Sequence, residues 1–143
     1  MSVELSLQLA DLNHRIEKLA GVETGELLSA LAAEGESQTR RRISEEKTSP
    51  DGSPWPDWSE DYAQTRHGGH SLLESEGYLV DSITADSDTT TAAWGSNLVQ
   101  AAALQFGYPK RNLPAREYLG VSEDNRADFA ALIDDWIDRH LGD

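Results

Sequence analysis

The sequence predicts an α+β protein: a small antiparallel sheet flanked by helices, with a long N-terminal helical region and an amphipathic C-terminal helix. Three observations carry this. Phe129, Leu132, Ile133, Trp136, Ile137 and Leu141 recur at i, i+3, i+4, i+7, i+8 and i+12, which places them on one helix face. Ser82–Ser87 and Thr90–Ser96 are short segments of strand character, helped by Thr89-Thr90-Thr91, and Asp86-Ser87-Asp88 supplies the turn of an antiparallel hairpin. A further helix is expected from about Thr24 to about Lys47, with Leu27, Leu28, Leu31, Gly35 and Ile43 on its apolar side.

The elements follow in order. Val3, Leu5, Leu7 and Leu9 alternate with polar residues, a short strand pattern, and the spacing then turns helical through Leu9, Leu12, Ile16 and Leu19 to a stop at Gly21. In the 24–47 helix, Arg41 with Glu45 and Arg42 with Glu46 are i,i+4 pairs, and Arg40-Arg41-Arg42 reads first as a solvated face, or else as a contact with an acidic neighbour. The segment from Ser49 to Trp58 holds three prolines and a glycine, so regular structure stops there. Residues 48–71 are expected to be an irregular loop, with Pro50-Asp51-Gly52 as a turn within it. A short helix is expected over Leu72–Ile83, with Gly77 its weak point, and another over the alanine-rich Val99–Phe106, closed by Gly107. A third extended segment runs from about Lys110 to Tyr118. Ser122 then caps the last helix, with Glu123 and Asp124 against the positive end of its dipole.

Composition narrows the function. A length of 143 residues suits one domain, 1–143. A hydrophobic share of 38% allows a compact core and leaves room for partner-dependent segments. The net charge of -14 argues against specific nucleic-acid binding, because phosphate contacts need Lys and Arg, and against an anionic membrane surface. It suits basic partners, or a lining past which DNA slides. There is no cysteine, no signal-peptide pattern and no apolar run near the roughly 20 residues of a membrane span, so synthesis in the cytoplasm is expected.

No chemical site emerges. His67 and His70 stand at HxxH spacing, but a zinc site needs three or four ligands, and His14 and His140 lie near opposite chain ends. With 26 acidic residues, carboxylate pairs such as Glu74 with Glu76 or Asp134 with Asp135 arise by chance, and nothing singles out a hydrolytic pair. Hydrolase serine motifs, phosphate-binding loops and dinucleotide fingerprints are absent from the sequence, so no catalytic residue, metal or cofactor is expected. Trp94 and Trp136 sit in periodic elements and read as core. Trp55 and Trp58 sit in an aperiodic loop, where partner contact and intrachain packing are equally open. On the partner reading, Trp55→Ala would change assembly more than stability.

Four blocks carry a family likeness: Ser49-Pro50-Asp51-Gly52 with Pro54-Trp55; Leu73, Gly77, Leu79 and Ser82-Ile83; Gln105-Phe106-Gly107; and Pro114-Ala115-Arg116-Glu117-Tyr118-Leu119-Gly120 before a serine-capped acidic helix. In this order, across roughly residues 45 to 140, the chain resembles the virion morphogenesis or tail completion proteins of Mu-like phages. In the last block the family usually has a second proline and then a phenylalanine, where this chain has Glu117 and Tyr118.

The resemblance implies a non-enzymatic virion component acting in tail completion or head–tail joining, with an antiparallel sheet flanked by helices. It implies a ring of identical copies, six being one expected number, in contact with other neck or tail proteins and with DNA passing through. The expected location is the virion, after assembly in the host cytoplasm. Expected interaction residues are Trp55, Trp58, Arg116 and Tyr118. Arg116 either bridges to Glu117 or anchors the extended segment to its own domain or an adjoining subunit. A second reading from a different class is a small acidic phage-encoded inhibitor that mimics nucleic acid. Its carboxylates would have to line one face, whereas here they are spread along the chain. A carboxylate hydrolase is a third, disfavoured by the absence of a distinct pair.

Overall fold

The computed structural model describes residues 12–14, 23–65, 71–74 and 77–141. The fold is α+β. Residues 12–14 are helical; the rest of the expected N-terminal strand and helix, and His67 and His70, lie outside the described residues.

Helix α1, Gly25–Arg41, runs directly into one wide π-helical turn, Arg42–Glu46, and together they fill the span expected from the sequence. Lys47 ends it in the left-handed conformation (φ 57), and its ammonium reaches the Leu72 carbonyl at 2.7 Å. The buried side of α1 is Ala32, Gly35, Gln38 and Thr39, continued by Arg42 and Ile43.

Strands β1, Thr84–Ser87, and β2, Ala92–Gly95, pair antiparallel from Thr84 opposite Gly95 to Ser87 opposite Ala92. The turn falls at Asp88–Thr91 rather than at Asp86–Asp88, since Asp86 and Ser87 pair within β1, and the Asp88 carboxylate closes it by accepting from the amides of Thr90 (2.8 Å) and Thr91 (2.7 Å). The hairpin lies on α1, and Gly35 makes this possible: a Cβ there would collide with the Trp94 indole. Trp94 also packs on Phe129 of the last helix, ring centroids 5.7 Å apart.

Within the 48–71 segment, the described residues 48–65 hold local structure. Thr48 bridges Pro54, and the Ser49 and Ser53 backbones bond at 2.8 Å. A short helix α2, Glu60–Ala63, follows, its first turn capped by the Ser59 hydroxyl. The helix expected from Leu72 begins only at Tyr78, as α3, Tyr78–Ser82. Upstream, Ser71 and Glu74 close a tight turn with Leu73 at φ 60, a conformation no helix contains.

Helix α4, Ala101–Phe106, ends at Gly107 as expected. The third extended segment is corrected at its start: Pro109–Arg111 is a 3-10 turn. From Leu113 the chain is extended but joins no sheet, and among the described residues the sheet has two strands. The last helix, α5, spans Glu123–Leu141. Its N-terminus is capped reciprocally, the Asn125 amide donating to the Ser122 hydroxyl (3.1 Å) and the Ser122 amide to Asn125 Oδ1 (3.3 Å).

The core gathers Ile43, Trp55, Leu79, Ile83 and Tyr118, with Leu72, Leu73, Val80, Leu98, Leu104 and Leu119 packed around it. Trp136 is buried on α5, stacked on His140.

Candidate functional site

The extended segment 113–120 is bonded by the helix α4, by the loop after Trp55 and by Arg42 at the end of α1. Pro114 has no amide hydrogen to offer a ladder, and the segment is held by side chains and isolated backbone bonds. The Arg116 amide donates to Leu104 O on α4 at 2.9 Å. Gln105, from the same helix, works as a clamp. Its Oε1 accepts from the amides of Tyr118 (3.1 Å) and Leu119 (3.0 Å), and its Nε2 donates to Leu119 O (3.2 Å).

Arg116 is 6% exposed and reaches the loop after Trp55. Its Nε donates to Pro56 O at 2.8 Å and its Nη2 to Asp57 O at 3.0 Å. Of the roles open in the sequence, this is anchoring within its own domain: the planar fork is spent on two carbonyls rather than on Glu117. Burial pulls the guanidinium below its usual value, against the nearby Tyr62 and Asp57. It remains a cation.

Trp55 is 4% exposed, and its indole N–H donates to Glu117 O at 2.9 Å. Tyr118 is 1% exposed, and its hydroxyl donates to Ala101 O at 3.0 Å. Burial pushes the Tyr118 phenol up. In this conformation Trp55, Arg116 and Tyr118 face the interior of their own chain, so their direct work is to fix the segment. Trp58 differs. It is half-buried and meets Tyr62 edge-on with centroids 6.1 Å apart.

Arg42 is the residue that sequence reasoning missed. Instead of lying on a solvated face beside Glu46, it is 1% exposed. Its Nη1 donates to Tyr118 O (2.8 Å) and Gly120 O (3.3 Å), and its Nη2 to Asn125 Oδ1. One guanidinium therefore joins α1, the extended segment and the cap of α5. Burial lowers its pKa, partly offset by Glu46. Arg40 turns outward and donates to Ile83 O at 2.7 Å. At the end of the segment Gly120 has φ 148 and presses on Pro50, where a Cβ would collide with the proline ring.

The four sequence blocks thus meet in space: Pro50 and Trp55, Leu79 with Ile83, Gln105, and the 114–120 segment. The arrangement is a rigid joint built from carbonyl acceptors, amides and buried apolar mass. Among the described residues no three acidic or histidine side chains gather closely enough to hold a metal ion. Nor is any helix of the described residues long and apolar enough to cross a membrane.

Comparison with known proteins agrees with this convergence of blocks. The model of the phage virion morphogenesis family matches residues 6–141. The chain is also similar to Mu-like prophage FluMu G protein 1 of Haemophilus influenzae, 25% identical over 138 residues that cover 93% of each chain. No solved structure matches. With nearly its whole length matched, the chain belongs to the phage virion morphogenesis family, and its role is a structural one in phage assembly.

Proposed function

We propose that this protein is a non-enzymatic subunit of the phage tail end or neck, which completes the tail or joins it to the head as a ring of identical copies. It would form in the host cytoplasm and remain in the virion, touching other neck or tail proteins, with DNA passing through the ring. One observation carries this reading beyond the family: the blocks that define the likeness are consumed in a rigid joint, while large apolar side chains remain outside. Val99 is 99% exposed, Phe106 77% and Tyr78 65%. Val99 lies in the turn just before α4, and Phe106 is exposed at the end of that helix. The helix carries Ala101 and Leu104 inward. Exposed apolar mass on a rigid frame suits a surface completed by neighbours. The strong acidity would keep passing DNA from adhering.

Native mass spectrometry with negative-stain microscopy tests the ring. The expected result is one discrete oligomer with a central hole. A monomer at every concentration tried would count against ring assembly.

A further inference from the structure

Tyr108 and Leu113 close a small rigid tip on the surface. The Tyr108 amide donates to Leu113 O at 2.8 Å, and the Leu113 amide to Tyr108 O at 3.1 Å. Between them Pro109–Arg111 makes a 3-10 turn, and Asn112 adopts the left-handed conformation at φ 54. The tip projects Lys110 and Arg111, both exposed, beside exposed Phe106 and Tyr108. Neither cation has an ion-pair or side-chain hydrogen-bond partner among the described residues, a state shared with Arg41 and Arg126, whereas Arg40, Lys47 and Arg139 are paired. In a chain of net charge -14, this is a preformed cationic and aromatic knob with nothing of its own to hold.

At the other end of the extended segment lies an open cleft of about 650 Å³, lined by Asp51, Glu117, Glu123 and Asp124 together with the apolar Pro50 and Val121. Val121 is 42% exposed. The cleft's walls are fixed by the joint described above, through Gly120 on Pro50 and Trp55 on Glu117 O.

We propose that the 106–111 tip of one copy seats in this cleft of the next copy, Lys110 and Arg111 against Glu117, Glu123 and Asp124, and the aromatic rings over Val121 and Pro50. This rests on the ring reading and names its contact. Charge selects the occupant. Copies this acidic repel one another unless a basic surface meets an acidic one, and the tip supplies two unpaired cations while the cleft supplies four carboxylates. Both surfaces are held in shape before contact, so little ordering entropy is lost on docking. Tip and cleft are different surfaces of one chain. The contact is therefore head-to-tail, the type that generates rings when its rotation closes.

The test is charge reversal in the full chain, read as the midpoint concentration of assembly by native mass spectrometry. Lys110→Glu with Arg111→Glu raises that midpoint about tenfold or more, from pairs turned into repulsions. Lys110→Ala with Arg111→Ala raises it less. Glu117→Lys with Asp124→Lys also raises it, and the fourfold variant with both reversals returns it close to the wild-type value. Added salt weakens wild-type assembly. The reversed side chains are exposed, and circular dichroism shows that each variant is folded. A tip reversal that assembles like the wild type overturns the proposal, as does a fourfold variant that stays dissociated. If tip reversal leaves the ring intact but blocks particle completion, the proposal also fails, and the tip serves a neighbour of different sequence. A wild-type chain that never leaves the monomer instead sinks the ring reading beneath it.

Discussion

Arg42→Ala is expected to loosen the whole molecule, because Arg42 ties α1, the extended segment and the cap of α5 together. The side chain is 1% exposed and donates to Tyr118 O, Gly120 O and Asn125 Oδ1. Hydrogen bonds from a charged group contribute roughly 1.5–3 kcal/mol each. Asn125 Oδ1 keeps its bond from the Ser122 amide, so Tyr118 O is the acceptor most completely stranded. Relief from burying a cation with no carboxylate bonded to it offsets part of the loss. The balance is a destabilisation of about 2–4 kcal/mol, a large part of the 5–15 kcal/mol typical of a domain. Arg42→Met should cost less than Arg42→Ala, since it fills the space and removes the buried charge. Urea unfolding followed by tryptophan fluorescence reads both. A loss within about 0.5 kcal/mol for Arg42→Ala, at unchanged m-value, would refute the interlocking role.

Trp55→Ala should destabilise the folded chain by about 3–5 kcal/mol in the same melts, since it empties a core position and strands Glu117 O. The partner reading of Trp55 put the larger effect on assembly, whereas its burial puts it on stability. Gly35→Ala should lower the melting temperature even though alanine is the better helix former by up to about 1 kcal/mol, because the Trp94 indole must move to admit the methyl group. Asp88 has its pKa depressed by the Thr90 amide first, then by the Thr91 amide and the Thr90 hydroxyl. Its contribution is therefore complete above the ordinary carboxylate pKa of about 4 and is lost as pH falls through the lower folded value. Asp88→Asn should flatten part of the acid-side fall in melting temperature, and an unchanged profile would exclude this carboxylate as a source.

Elements with a strong local signal were legible in the sequence. The α5 stripe, the Ser122 cap, the hairpin and the helix ending at Gly107 all follow from spacing and turn chemistry, and all are present. What resisted reading depends on contacts distant in the chain. Arg42 sits inside a triple arginine, and composition calls such a run solvated. Its direction is set by the small-residue side Ala32, Gly35 and Thr39, which reaches Arg42 at helical spacing of three, four and three. That stripe was the available signal, and the charge obscured it. Arg116 and Trp55 were recognised as special, but their partners are the backbone carbonyls of Pro56, Asp57 and Glu117, about 60 positions away, and carbonyls leave no trace in residue identity. The start of the third extended segment was misread for a local reason: Pro109 opens a 3-10 turn as readily as it stiffens an extended chain.

A structural part in building the phage particle at its tail end or neck is tested most directly by electron microscopy of particles made without this chain. The account predicts full heads and tails that fail to join, or tails left unfinished, with infectivity restored when the chain is supplied in trans. Normal numbers of complete, infectious virions in its absence would contradict it.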